Sequence, residues 1–421
     1  MNIEAWDRLK SARYPLETGL LLALCFFLPL YEAPKNILWV AYVATWMVNR
    51  VRARDFGGPW DLWDSLIAAW IASGVVVAAF AGLDGTQWRG AADLLRYASV
   101  LWLVKRAGYD RWQIRSILGM LVASTVVGLA IGHADLLRGS AKFGTLELHS
   151  VGHVNHTAIY VAIMLGVCTA WTFSRWRTWR WRTRAVALAV TALVLVSLIV
   201  TASRGAIGVG LVLLPLLAAA WWPRSRIPVA VSAIVVALVV GAVLVGGAEV
   251  IRKHAKDVRE DNVLSFRDGI WRTALAAWAR YPWFGVGMDN YSLITPERVR
   301  AWDAELGRTT DPKRYFYISH GHSIYANTLA ERGAVGAAVL AAVLIAWLAC
   351  LVRYRPRGAD PDDDWLLWGC SASAWFVTMG VGLVNTTLHH EHGMLAVLLL
   401  GLWLSGLPAR REVQPPGVAA R

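Results

Sequence analysis

The feature that most restricts the fold of this chain is its series of long apolar segments. A helix needs about 20 largely apolar residues to cross a bilayer, and the 421-residue chain contains about twelve such segments. They occupy 16–33, 36–49, 62–82, 92–108, 114–133, 155–174, 185–202, 205–222, 228–247, 333–352, 365–385 and 392–408. Hydrophobic residues make up 57% of the chain, which is typical of membrane proteins and not of soluble globules. We therefore predict an all-α polytopic integral membrane protein with about twelve transmembrane helices.

The distribution of Lys and Arg predicts how the chain crosses the membrane. If the N-terminus lies inside, most Lys and Arg fall in inner segments, such as the Arg/Trp run 175–184, and few fall in the short outer loops. Cytoplasmic loops are enriched in these residues, so both termini are predicted to be cytoplasmic. The net charge of +13 is then explained by topology, and no nucleic-acid partner is expected. The four cysteines lie in apolar stretches without a CxxC spacing, so we expect packing thiols.

One large polar segment, roughly 248–332, is predicted on the outer side. Loops of this length are usually functional or disordered. It divides the chain into nine spans over 1–247, the outer loop over 248–332, three spans over 333–408 and a cytoplasmic tail over 409–421.

Part of the outer loop has the pattern of an amphipathic helix. Within 265–283 one helical face is predicted to carry apolar side chains, namely Ile270, Trp271, Ala274, Leu275 and Trp278. Ser265 and Asp268 resemble a capping box at its start. Such a helix can lie on the outer membrane surface with its tryptophans at headgroup depth.

Two histidines end the outer loop, just before the tenth span. His320 and His322 lie in the sequence Ser-His-Gly-His-Ser at 319–323. An imidazole with a pKa near ~6.5 accepts protons at neutral pH, as a general base must. His322 is the first candidate for this role, and His320 is its rival or a partner that orients it. The alternative is an interfacial histidine that only hydrogen-bonds near a helix start.

Two arginines are candidates for binding an anion. Arg267 falls in the first turn of the loop helix, where the free backbone N–H groups and the helix dipole favour negative charge; the alternative is a solvated arginine. Arg204 lies between two apolar runs with almost no loop, and charges near membrane depth tend to mark functional sites, although the side chain could instead snorkel to the headgroups. Arg272 is predicted on the polar face of the loop helix, where it could line a substrate site.

Histidines also collect at two other outer positions. These are His149, His153 and His156 beside Asn155, and His389, His390 and His392 in the last outer turn. Three or four such groups can bind zinc, but neither set has an HExxH or CxxC spacing, and we predict no metal site. We interpret His153, Asn155 and His389 as substrate-lining groups or interface anchors.

The stretch around His322 resembles a motif of the O-antigen ligases. In that family a histidine is followed by Asn, Ser or Gln and, at a distance, by GxxG; here the residues are His322-Ser323 and Gly333-Ala-Val-Gly336. The chain is also similar to the family in Thr201-Ala-Ser203-Arg204-Gly205 and in Arg267…Trp271-Arg272…Pro282-Trp-Phe-Gly285-Val-Gly287. Span count, orientation and the single outer loop agree, so the resemblance covers essentially the whole chain.

The resemblance implies a GT-C-like membrane glycosyltransferase of lipopolysaccharide biosynthesis. Its donor would be O-antigen glycan on undecaprenyl diphosphate, and its acceptor lipid A–core, at the periplasmic face of the inner membrane. The family implies inverting transfer without a metal or other cofactor. His322 would be the catalytic base, with Ser323 beside it, and Arg204 and Arg267 would bind the diphosphate.

Three other functions are weighed against ligation. O-antigen polymerases and O-linked protein oligosaccharyltransferases share the same motifs. The chain lacks the long C-terminal extension expected of many protein oligosaccharyltransferases, and His322 has the spacing described for ligases. A secondary transporter would also have about twelve spans, but it usually carries ionisable groups near the membrane midplane, and these spans contain few acidic residues. The transporter is therefore the remote alternative.

Overall fold

The computed structural model describes residues 3–141, 144–222, 241, 266–309 and 311–407, which form α-helices and no strand. The helices are α1 (Ile3–Ser11), α2 (Pro15–Phe27), α3 (Glu32–Ala53), α4 (Leu62–Ala79), α5 (Gln87–Arg106), α6 (Arg111–Leu137), α7 (Val154–Arg175), α8 (Trp181–Val200), α9 (Arg204–Trp221), α10 (Arg267–Arg280), α11 (Pro296–Glu305), α12 (Ile324–Arg353), α13 (Asp362–Gly382) and α14 (His390–Ser405). Short 3-10 helices occur at Tyr291–Leu293 and Pro312–Arg314.

Helices lie at the predicted spans wherever the structure describes them. α2–α9 and α12–α14 match eleven of the twelve positions, while the ninth, 228–247, falls outside the described residues. Six helices are long and apolar enough to cross a membrane: α4, α6, α7, α8, α9 and α12. These features are those of a polytopic membrane protein. The count of twelve, the large periplasmic loop and the orientation stay predictions.

The central helix of the bundle is α7. Of its apolar window, 94% is buried inside the protein, and α7 packs against α8, α9, α13 and α14. A helix that is apolar on all sides must be enclosed by other helices or lipid, and here other helices enclose it. The first turn of α7 carries Asn155 and His156, so its position fixes these two polar groups at one end of the bundle core.

At the other end of the bundle, several basic residues that the sequence assigns to cytoplasmic loops are buried in ion pairs. Arg106 donates to Asp64 through Nε at 2.8 Å, and Arg50 donates to Glu17 at 3.2 Å. Both carboxylates are fully buried. Removing one partner of such a pair typically costs about 3–5 kcal/mol, because the remaining charge is left buried. These pairs hold α2 to α3 and α4 to α5.

The loop helix α10 forms where the sequence predicts it, and part of its apolar face is buried inside the protein. Ile270, Ala274 and Ala277 are buried in a small core with residues of 286–302 and Ala330, and α10 packs against α12. Leu275, assigned to the apolar face, is 46% exposed. Two residues of the predicted apolar face, Ile270 and Ala274, are thus packed inside the protein. The placement of α10 on the membrane surface stays a prediction.

The start of α10 lies at the edge of the described residues. The helix begins at Arg267, and Phe266 before it has a φ of 59°. Ser265, the proposed cap, lies outside the described residues, so the capping box stays a prediction.

Candidate functional site

The loop before α12 holds His320 and His322 in a tight, strained turn. The φ of His322 is 43°, in the left-handed region that non-glycine residues rarely adopt. Two contacts fix the turn: the Ser323 hydroxyl accepts from the Ala326 amide at 3.4 Å, and Asn327 Oδ1 accepts from the Gly321 amide at 2.8 Å. Strain of this kind persists only where surrounding contacts over-determine the backbone, and it is common at functional sites.

The segment 282–287 is bound to a break in α12. Gly333 has a φ of 57° and a ψ of −162° inside the helix, so the helical hydrogen bonds are interrupted there. The Ala334 amide donates to the Pro282 carbonyl at 2.7 Å, and the Gly287 amide donates to the Glu331 carbonyl at 3.0 Å. A Cβ on Gly333 would overlap the backbone of residue 283. The segment 282–287 and the helix break at Gly333 therefore form one structural joint.

Asn290 then ties this joint to the loop between α4 and α5. Its Nδ2 donates to the carbonyls of Leu83 at 2.8 Å and Val286 at 3.0 Å, and its Oδ1 accepts from the Thr86 amide at 2.7 Å. The side chain is fully buried. The outer segment is thus anchored to the bundle next to α12, which carries the histidine loop at its start.

Residues 384–385, after α13, lie close to Arg267, to the start of α9 and to His322. Arg267 Nε donates to the Val384 carbonyl at 2.8 Å. A Cβ on Gly205, the residue after Arg204, would come within 2.5 Å of the Val384 side chain. Asn385 is near enough to the His322 ring to raise the pKa of His322. Two N-terminal helix turns, those of α9 and α10, therefore meet at Val384, and such turns favour anions.

The remaining predicted residues take varied positions. The Ser203 hydroxyl, just before Arg204, donates to Asn155 Oδ1 at 3.0 Å. His153 is the N-cap of α7, and Ser323 is the N-cap of α12 and is buried. Ser323 therefore caps α12, and its place beside the substrate stays a prediction. Arg272 is exposed on α10.

The histidines near the starts of α7, α12 and α14 form a continuous series of neighbouring rings. His320 and His322 have ring centroids 4.1 Å apart, and His156 lies 6.3 Å from His320. On its other side His156 lies 4.8 Å from His389 and 4.7 Å from His390. The structure thus joins the three histidine groups that the sequence shows separately.

Burial and neighbouring charges keep His320 and His322 neutral. The pKa of His322 falls to about 3, first because of burial and then because of His320 and the Arg267 guanidinium. Burial, with His153 and His390, lowers the pKa of His320 to about 4. The Nδ1 atom of His322 is buried without a hydrogen-bond partner among the described residues. A neutral ring with an unpartnered nitrogen can take up a proton from a bound group.

A cavity of about 490 Å³ opens beside His320. Its polar lining includes Arg89, Asp289, Glu331 and His156, while His322 is not part of the lining. Glu331 accepts from Asn327 Nδ2 at 2.9 Å, so the carboxylate is linked to the residue that fixes the histidine loop.

Sequence reasoning missed the residues that position this site. They are the polar side chains of Asn290, Asn327, Glu331 and Asn385, together with the backbone carbonyl of Val384. No spacing marked them, because their roles depend on contacts between distant segments. The one visible signal was Glu331, a carboxylate at the start of an apolar span.

Comparison with known families is consistent with these observations. Residues 189–341 match a family model described as O-Antigen ligase, which confirms the resemblance predicted from the sequence. The matched range contains Arg204, Arg267, His320, His322 and the joint between 282–287 and Gly333. No curated protein matched the chain.

Proposed function

We propose, from the assignment of residues 189–341 to the O-antigen ligase family, that this protein is a membrane glycosyltransferase that ligates O-antigen to lipid A–core. The donor would be the glycan on undecaprenyl diphosphate, and the reaction would take place on the periplasmic face of the inner membrane. The observation that carries the proposal is the meeting of His322, Arg267 and the start of α9 at residues 384–385.

His322 would act as the general base. As the acceptor hydroxyl attacks the anomeric carbon, His322 takes its proton, a new glycosidic C–O bond forms, and the bond from the anomeric carbon to the diphosphate oxygen breaks. Attack from the face opposite the leaving group inverts the configuration. The neutral His322 ring supports this role, because one of its two nitrogens carries a lone pair for the incoming proton.

Arg267 and Arg204 would bind the departing lipid diphosphate. Each begins a helix, so the guanidinium groups and the helix dipoles act on the same anion. The Arg267 Nε is used in holding Val384, which fixes the direction of the guanidinium. Charge supplied by two arginines can replace that of a divalent cation, and transfer without a metal is therefore part of the proposal.

Donor binding would also adjust the base. The charge of Arg267 is one of the causes that lower the pKa of His322. A bound diphosphate offsets that charge and raises the pKa of His322 towards neutrality, where a general base is most effective. His320, whose ring lies 4.1 Å away, would orient His322 or compete with it for the proton.

The test is transfer by the purified protein from a lipid-linked donor to lipid A–core, with and without EDTA. We expect product both with and without EDTA. The rate of transfer should fall at least ~10²–10³-fold in His322→Ala, Arg204→Ala and Arg267→Ala. Arg272→Ala is the matched control, since Arg272 is an exposed arginine of the same helix as Arg267. A His322→Ala protein with wild-type transfer would contradict the mechanism, and so would transfer that EDTA abolishes in a protein whose melting temperature EDTA does not change.

The acceptor distinguishes ligation from its relatives. A polymerase would join the glycan only to a second lipid-linked glycan, and a protein oligosaccharyltransferase would join it to a protein hydroxyl. A secondary transporter would take up solute in proteoliposomes, and the His322→Ala variant would still do so. The helices do carry buried acidic residues, but Glu17 pairs with Arg50 and Asp64 with Arg106, which disfavours an ion-coupling role for these two.

A further inference from the structure

Three histidines from two distant segments face one another at the end of the bundle that holds His320 and His322. His156 is in the first turn of α7, while His389 and His390 are the N-cap and first residue of α14. One ring nitrogen from each of the three lies within 4.8 Å of the other two. The ring of His392 is 5.3 Å from both His156 and His389, so a fourth imidazole borders the same point.

Ring nitrogens in this cluster lack protein partners. Both nitrogens of His392 and the Nε2 of His389 are buried without a hydrogen bond to the described residues, and His392 is only 1% exposed. An unsatisfied buried polar group costs about 1–3 kcal/mol, and native proteins rarely leave several together. A bound cation would satisfy these atoms.

The spacing of the rings fits a tetrahedral metal ion. Bonds of about 2.0–2.1 Å from zinc to imidazole nitrogens place the centres of the rings roughly 5 Å apart. The distances between the four ring centroids range from 4.1 to 6.5 Å. Tetrahedral bonds of this length place the nitrogens about 3.3 Å apart, so nitrogens that lie up to 4.8 Å apart would move closer when the metal binds.

The chemistry of the cluster selects the class of metal. Imidazole suits zinc, copper, nickel and cobalt, whereas calcium and magnesium require oxygen ligands. Glu391 and Asp93 act on His390 with a negative potential, while Lys35 and Arg96 act with a positive one. Because these nearby charges are balanced, they neither require nor exclude a divalent cation.

We propose that His156, His389 and His390 form a binding site for a zinc-type divalent transition metal, with His392 completing four-fold coordination. The site is distinct from the residues proposed to perform transfer, and it does not rest on the proposed function. His156, His389 and His390 line the cavity beside His320, so the metal would sit in the cavity wall.

Metal binding to the purified full-length protein in detergent tests the proposal. After chelation and buffer exchange, Zn²⁺ is titrated by calorimetry, and Co²⁺ is titrated while its visible absorption is recorded. The variants are His156→Ala and the double variant His389→Ala/His390→Ala. The control is His149→Ala, which removes an exposed histidine that contacts Asp135 and lies outside the cluster.

We expect the wild-type protein and His149→Ala to bind one equivalent, with the intense visible bands of tetrahedral Co²⁺. Affinity should fall at least ~10-fold in His156→Ala and in the double variant. Equal binding by the cluster variants, or wild-type protein without those bands, would overturn the proposal.

If a variant does not fold, X-ray absorption of the zinc-loaded wild-type protein tests the site instead. It should show nitrogen-only coordination with scattering from three or more imidazoles, and a shell of mostly oxygen or sulfur would refute the site. Because none of these measurements uses glycosyl transfer, failure of the metal site and failure of the proposed function are distinguishable.

Discussion

Substitution of Gly333 by alanine should both destabilise the protein and disable it. The backbone at this position has a φ of 57° and a ψ of −162°, a region that is essentially limited to glycine and costs other residues about 1–3 kcal/mol. The new Cβ would also overlap the backbone of residue 283, so 282–285 must move away from α12. That movement breaks the hydrogen bonds from Ala334 to Pro282 at 2.7 Å and from Val335 to Trp283 at 3.1 Å.

The expected decrease in the free energy of unfolding follows from these contributions. Strain of about 1–3 kcal/mol and two hydrogen bonds of about 0.5–1.5 kcal/mol each amount to roughly 2–6 kcal/mol. Transfer should fall as well, because displacement of 282–287 loosens the start of α12, where His322 is held. The proposed function therefore predicts a combined defect in stability and activity.

Thermal unfolding in detergent and the transfer assay together measure this effect. Gly208→Ala is the matched control, since Gly208 lies on α9 with no atom within 4 Å of an added Cβ; this substitution should be neutral or stabilise by up to about 1 kcal/mol. We expect Gly333→Ala to melt several degrees below both other proteins. A Gly333→Ala protein that melts with the wild type and retains full transfer would refute the reasoning about the joint.

Three further predictions concern the pH profile, a buried ion pair and the histidine loop. Since His320 helps to lower the pKa of His322 to about 3, the acidic limb of kcat/KM should lie below the ordinary histidine value of about 6.5. His320→Asn should move this limb to higher pH, and an unmoved pH–rate profile would argue against His322 as the base. Lys35→Met leaves the buried Glu391 carboxylate without its ion-pair partner, so thermal unfolding should show that the protein is less stable by about 3–5 kcal/mol. The double variant Lys35→Met/Glu391→Met should recover much of this stability, and no recovery would contradict the pairing. Asn327→Ala removes the acceptor that fixes the histidine loop and should lower kcat with less effect on stability than Lys35→Met, whereas unchanged kcat would show that the loop is held by other contacts.

The depressed pKa of His322 also has a consequence for stability. In the unfolded chain His322 takes up a proton near pH 6.5, while in the folded protein it does so only near pH 3. Between these values the unfolded state binds more protons, so this group makes stability fall as the pH is lowered. Its destabilising contribution is absent above pH ~6.5.

Much of the helical framework follows from local sequence. Eleven of the twelve apolar runs are helices in the structure, because an apolar run of this length must satisfy its backbone polar groups internally. The motif around His322, Gly333 and Gly336 also identified the family that residues 189–341 match. These signals are contiguous or nearly so in the chain, and can therefore be seen before the fold is known.

The arrangement of the site was decided by contacts between distant segments. The sequence could indicate that Arg267 and His322 are suited to chemistry, but only the fold places them at residues 384–385. Likewise, His156 and His389 seemed to belong to unrelated groups until α7 and α14 packed side by side. The apolar stripe of α10 could be predicted from the sequence, whereas its packing against α12 is visible only in the fold. Hydrophobic length is a property of one segment, whereas the position of a polar group in a membrane bundle depends on which helices surround it.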